Sequence, residues 1–287
     1  MDLNKNFIKA KGPCTDGFRW FLRNYQQGSN YQPLLDNLVK AGRIDDACWL
    51  LSQFGPTDTI LEIDELCDEA IVFSGSIHVR GSIEVTSLVR AGREIRADGG
   101  IRAGRAIVAG TGIRTDGNVR CEGVLTAGGD VRTAWGIEVQ DSIHCGGDLR
   151  ANWGILCNGD LYASGNVIAG QDIEIMGKLE SGKGIRTSGA ITGSLGISAG
   201  HGIEAGATIS TQGHIEAKWG IKSGRSIIAE GAIQAGESLY AIEEICSGDG
   251  YGIYAGLNIR ADAWEANAQV RSRKKPARLI SGWWAER

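Results

Sequence analysis

From Ile71 to Ile245 every sixth residue is Ile, Leu or Val, thirty positions in succession without one insertion. A period of six matches neither the 3.6-residue turn of a helix nor the two-residue alternation of an isolated strand. The stretch GGIRAGRAIVAGTGIRTDGNVRCEG, residues 99–123, shows the unit. An aliphatic residue is followed by an outward residue, then by a small one such as Ala103, Ala109, Thr115 or Cys121, then often by Gly, as at Gly104 and Gly110 and further on at Gly128 and Gly146. Alternation puts the aliphatic and the small residue on one face of a short strand. The glycine fits a corner where the backbone takes an unusual φ. Strands this short bury a face only by stacking on copies of themselves.

Three such sides make a triangular coil of about 18 residues, the stacked unit of a solenoid. Thirty hexads give about ten coils, and a rise of about 4.8 Å per coil makes a rod on the order of 50 Å long. The outward residues support the three-hexad coil independently. Taken after every third aliphatic from Ile95, they read Arg96, Arg114, Arg132, Arg150, Ile168, Arg186, Glu204 and Lys222. The other two sides are mixed in charge, so a basic stripe emerges only when the chain is wound at three hexads per coil. The expected fold is mainly β, a parallel β-solenoid with a small N-terminal α-helical domain. Glycine is abundant, 43 of 287 residues, but only 4 prolines accompany it, which excludes collagen.

Residues 1–66 are expected to form the helical domain, 67–262 the solenoid and 263–287 a capping tail. Three helices are expected within 16–55. DGFRWFLRNY starts near Asp16, YQPLLDNLVKAG stops at Gly42, and IDDACWLLSQFG carries Asp45 and Asp46 near its start and stops at Gly55-Pro56. This domain could also cap the first coil. Bare end coils expose strand edges and core, and Trp283 and Trp284 are expected to cover the far end.

Net charge is only −4, which gives no general pull toward nucleic acid or an anionic membrane. With no long apolar run and no signal peptide, the chain reads as cytoplasmic. Seven cysteines without CxxC or CxxH spacing favour neither a disulfide framework nor a metal site. Cys121, Cys145 and Cys157 occupy small inward places and read as packing residues. No cofactor motif is present, since the glycines open strands and not the helix that a phosphate loop requires. Hexapeptide acyltransferases place their small residue four positions after the aliphatic, where this chain places it two after. The four histidines lie among ordinary hexads, with no inserted loop to build a pocket. No catalysis and no bound metal are expected.

Two charged features remain as partner surfaces. The first is acidic: Asp45, Asp46, Glu62, Asp64, Glu65, Asp68 and Glu69, in a segment (residues 1–70) with 7 Lys/Arg against 11 Asp/Glu. The second is the stripe of Arg96, Arg114, Arg132, Arg150, Arg186 and Lys222, which reads first as a solvated ladder that keeps a flat sheet from sticking to its own copies. Asp98 and Asp116 are placed to pair with Arg96 and Arg114.

The segment GPCTDGFRWFLRNYQQGSNYQPLLDNLVKAGRIDDACWLLSQFGPTD, followed by a long hexad solenoid, resembles immunity proteins paired with bacterial toxins. In layout it is similar to the immunity partners of GHH-type DNase effectors of type VI secretion. The resemblance implies a cytoplasmic protein, a monomer or small oligomer, that binds a cognate DNase toxin tightly and blocks its access to DNA, without itself contacting nucleic acid or membrane. Other classes of solenoid stay open. Bactofilin-like solenoids polymerise end to end, and DNA-mimicking pentapeptide-repeat proteins need an extended acidic surface and a five-residue period.

Overall fold

A computed structural model describes residues 2–25, 28–259 and 263–286. The hexad ladder winds into three parallel sheets of 13, 11 and 12 strands, the three faces of a triangular rod. Face 1 begins with strand Ile60–Ile63, face 2 with Leu66–Asp68 and face 3 with Ile71–Phe73. Along face 2, Ile101 pairs with Val119, Val119 with Ile137, and Ile137 with Ile155, a strict step of three hexads. Within each strand the aliphatic and small residues point inward and the middle residue outward, as in Ile101–Ala103 and Ile143–Cys145.

The core is one continuous column. Ile101, Ile107, Ile113, Ile137 and Ile143 are each at most 2 % exposed. Burying a side chain of this size contributes about 1.5–3 kcal/mol. Where the small inward residue is polar, it reaches a corner carbonyl. Ser181 Oγ donates to Gly165 O at 2.8 Å and Ser223 Oγ to Ala207 O at 2.6 Å. A second ladder runs along the corner between faces 3 and 1. Asp130 Oδ1 accepts the Asp148 N–H at 2.9 Å, Asp148 Oδ1 accepts that of Asn166 at 2.8 Å, and Asn166 Oδ1 accepts that of Gly184 at 3.1 Å.

Two expectations need correction. The rod has about twelve coils, because strands Ile60–Ile63 and Leu66–Asp68 precede the even ladder and complete a first coil with Ile71–Phe73, and strands Gln269–Arg271, Leu279–Ser281 and Trp283–Trp284 extend it. Both ends break the spacing: Leu61 pairs with Ile77, closer along the chain than three hexads, and Leu239 pairs with Val270, much further away than that. The solenoid therefore starts inside the stretch 1–66, and its tail is built into the sheets; the boundary at residue 262 lies outside the described residues. The corner glycines, moreover, are not chosen for φ. Gly104, Gly110, Gly128 and Gly146 have no positive φ. A Cβ on Gly110 would instead overlap the carbonyl oxygen of Gly92 in the coil below.

Among the described residues four helices precede the rod: α1 (Lys5–Ala10), α2 (Thr15–Asn24), α3 (Tyr31–Lys40) and α4 (Ile44–Phe54). The expected three are α2, α3 and α4. Helix α1, capped by Asn4, is additional, and Cys14, not Asp16, caps α2. Leu34, Leu35, Leu38, Ala47, Leu50 and Leu51 form their core, which is continuous with Val72, Leu88 and Ala106 of face 3. The helices thus sit on the flank of the first coils. One residue does reach the end of the rod: Gln32 donates from Nε2 to Val72 O at 3.1 Å and accepts the Ser74 N–H at Oε1 at 2.8 Å, pairing the free edge of Ile71–Phe73 as another strand would. At the far end Trp284 packs on the core, while Trp283 is half-exposed.

Candidate interaction surfaces

The acidic residues fall into two groups. Asp45 and Asp46 occupy the first turn of α4, where the helix dipole favours negative charge. Asp45 Oδ1 accepts from Arg105 at 2.8 Å, tying the helices to the rod. Asp46 Oδ2 accepts from Arg43 Nε at 2.6 Å, and the same guanidinium donates to Asp16 Oδ2 at 2.8 Å. The hydrogen bond to Asp16 is the chief reason the Arg43 pKa is raised; burial opposes it and the bond to Asp46 adds to it.

Glu62, Asp64, Glu65, Asp68 and Glu69 lie on the first coil, at the end of the rod. Glu62 faces outward in register with His78. Asp64 pairs with Arg80 at 2.9 Å. Asp68 stands at an inward position, in register with Val85, and is exposed only because no coil lies below it. Glu62, Glu65, Asp68 and Glu69 have no ion pair among the described residues.

The basic stripe is present on face 1, where Arg96, Arg114, Arg132 and Arg150 stack in register. It is largely neutralised in place. Arg96 meets Asp98 at 3.6 Å, Arg132 meets Asp130 at 2.8 Å and Arg150 meets Asp148 at 3.0 Å. Further up, Glu204 lies between Arg186 at 2.5 Å and Lys222 at 3.0 Å. Hydrogen bonds from Arg186 and then Lys222 hold the Glu204 carboxyl below the usual range. The expected Arg114–Asp116 pair is not formed among the described residues.

Three exposed tryptophans were not expected. Trp135 and Trp153 stack at the corner between faces 1 and 2, ring centroids 5.6 Å apart and planes 21° from parallel. Trp219 stacks on His201 at the corner between faces 3 and 1, at 4.1 Å and 8°. Each tryptophan is 51–55 % exposed, so none belongs to the core. The sequence does carry a signal for them. Trp135-Gly136-Ile137, Trp153-Gly154-Ile155 and Trp219-Gly220-Ile221 are the same tripeptide, and His201-Gly202-Ile203 is its histidine form. Exposed tryptophan is enriched among interface anchors.

The buried thiols are inert by environment. Burial pushes the Cys157 thiol up to about 11 and raises those of Cys121 and Cys145. Among the described residues no group of three His, Cys, Asp or Glu side chains could hold a metal ion. No described helix is long and apolar enough to cross a membrane.

Residues 1–54 match the YdhT N-terminal domain family. The match spans α1 to α4 and ends before the solenoid. No curated protein and no solved structure matches the chain.

The helical domain also contains a half-open hollow of about 400 Å³ between its helices. Leu34, Leu38 and Leu50 form part of its buried wall, the half-buried Trp20 and Trp49 line it, and Asp45 and Asp46 also contribute to its lining. Two of the acidic residues singled out in the sequence therefore belong to a hollow as well as to ion pairs.

Proposed function

We propose that this is a non-enzymatic binding protein, an immunity protein that neutralises a cognate nuclease toxin by occluding its active site. The observation that carries the reading is the acidic first coil. Five carboxylates within Glu62–Glu69 are presented on a rigid end, and only Asp64 is in an ion pair among the described residues. A nuclease cleft is basic because it must hold phosphate, and complementary charge speeds and orients its capture. A rigid rod adds contact area at little ordering cost.

The arginine stripe supports the same choice by contrast, since Arg96, Arg132, Arg150, Arg186 and Lys222 are spent on Asp98, Asp130, Asp148 and Glu204. Three of the four histidines make contacts within the rod: His201 stacks on Trp219, His214 Nδ1 accepts the Ala232 N–H at 2.9 Å, and His78 Nε2 lies 3.6 Å from Glu94. A bactofilin-like polymer fits less well, because Asp68 would place a carboxylate inside any coil stacked on that end. The test is co-purification with the product of the neighbouring gene, followed by surface plasmon resonance at low and high salt. Reversal of Glu62, Glu65 and Glu69 to Lys should slow association at least tenfold and leave the fold intact. Absence of any toxin partner would sink the reading.

A further inference from the structure

One column of the corner between faces 3 and 1 carries both a knob and a socket. Read up the rod, its residues are Gly129, Gly147, Gly165, Lys183, His201 and Trp219, each hydrogen-bonded through the backbone to the one before. Three successive positions have no side chain, and two others end in stacked rings. His201 and Trp219 line one hollow with Arg186, Glu204 and Lys222, so the rings border face 1. Trp135 and Trp153 instead share a hollow with Val119 and Glu138 of face 2. We propose that face 1 binds a second copy of this chain, antiparallel, about a two-fold axis. This goes beyond the toxin reading and does not depend on it.

A two-fold contact must be self-complementary. With the axis across the rods, each column of one copy meets the same column of the other, reversed. An axis between the coils of Ile168 and Arg186 lays Trp219 on Gly129 and His201 on Gly147, twice by symmetry. On the outward row it sets Glu204 against Arg150. Lys222 meets Arg132, which brings its own Asp130 at 2.8 Å. Most of the row is already paired within the chain. It therefore neither draws a strongly charged partner nor holds its own copies apart. The helices dock on face 3 through Val72, Leu88 and Ala106, and Arg114, Arg132 and Arg150 of face 1 remain exposed. The overlap runs from strand Ile113–Thr115 to Leu239–Ala241 and leaves the acidic first coil outside it. Strands about 4.8 Å apart on a face about 15 Å across then bury on the order of 600 Å² per copy. That is near the lower limit for a stable specific interface, so the dimer is weak, with a micromolar dissociation constant.

Analytical ultracentrifugation of the full-length protein across the micromolar range tests this, with circular dichroism to check that each variant folds. The wild type should pass from monomer to dimer as concentration rises. Trp219→Ala removes the knob and Gly129→Trp fills the socket, where a Cβ would come no closer than 3.3 Å, to Thr111 O. Each should weaken the dimer at least tenfold. Glu204→Arg and Arg150→Glu should do the same singly, and the double variant should regain wild-type affinity. Within one chain these two residues are three coils apart, so only a contact between copies can restore it. A wild type that stays monomeric at the highest concentration overturns the proposal, and weaker toxin binding by Trp219→Ala would then assign the face to the toxin. A dimer indifferent to Trp219→Ala and Gly129→Trp lies elsewhere and overturns it too. A double variant that fails to regain affinity overturns the antiparallel register. A dimer that responds as expected, with no toxin found, leaves this inference standing and the immunity reading fallen.

Discussion

Asp148 and Asn166 are one coil apart, and Asp148 Oδ1 receives both the backbone N–H of Asn166 at 2.8 Å and its side-chain amide at 3.0 Å. The backbone hydrogen bond from Asn166 is the main reason the Asp148 carboxyl is held below the usual range, with Arg150 adding to it and burial opposing. A depressed carboxylate stabilises the fold above its unfolded value, about 3.9. That contribution is lost as pH falls through the lower folded value. Asp148→Asn keeps an acceptor of the same shape and removes the charge. It should cost about 1 kcal/mol at pH 7 and show a smaller fall in melting temperature between pH 5 and pH 2 than the wild type. Parallel pH curves for the two proteins would remove Asp148 from the acid response.

The second prediction concerns the column. Ile137 is 2 % exposed and lies in register between Val119 and Ile155. Ile137→Asp buries an unpaired charge and should cost several kcal/mol, seen as lost solubility or a much lower melting temperature. An unchanged melting temperature would contradict the buried ladder.

Thiol labelling offers a third check. At pH 8 the native protein should react with iodoacetamide at exposed Cys14 and Cys67, while Cys121, Cys145 and Cys157 stay unmodified until the rod unfolds. Peptide mass spectrometry before and after denaturant reads this directly. Early modification of Cys157, whose thiol burial pushes to about 11, would mean that the coils open readily.

Trp135 and Trp153 should behave as surface residues despite their stack. Trp135→Ala should remove an exciton signal from the circular dichroism spectrum and change stability by no more than about 1.5 kcal/mol. A loss of several kcal/mol would make the pair structural and withdraw it as a contact surface.

Asp68 gives the last prediction. An inward charge on an edge strand blocks edge-to-edge association. The wild type should run without end-to-end polymers in gel filtration, and Asp68→Val should shift part of the protein to larger species. Filaments of the wild type would favour the polymer reading.

Much of this was legible in the residues, and the limits have physical causes. The ladder from Ile71 to Ile245 prescribes the coil because its period is shared by every inward site. Helix α1 was missed because KNFIKA is only six residues long and only Ile8 is buried. The place of the helical domain was written in face 3, where the outward and corner positions Val72, Leu88, Ala106 and Val108 are apolar, a signal that an inward ladder masks. The acidic residues were visible as charge, but their division between Asp45 and Asp46 on α4 and Glu62–Glu69 on the first coil depends on tertiary placement. The additional coils escaped because their connections are uneven, shorter than three hexads from Leu61 to Ile77 and far longer from Leu239 to Val270.

The unbroken step of three hexads also governs how such a molecule changes over generations. Each coil meets its neighbours through the same three strands, so a duplication or deletion of one whole repeat rejoins like to like and alters only the length of the rod. A single-residue insertion inside a strand instead turns the inward side chains that follow it in that strand outward, unless a bulge absorbs it. Outward residues such as Arg114 or Leu156 escape both constraints, and each is free to be rewritten without consulting the next.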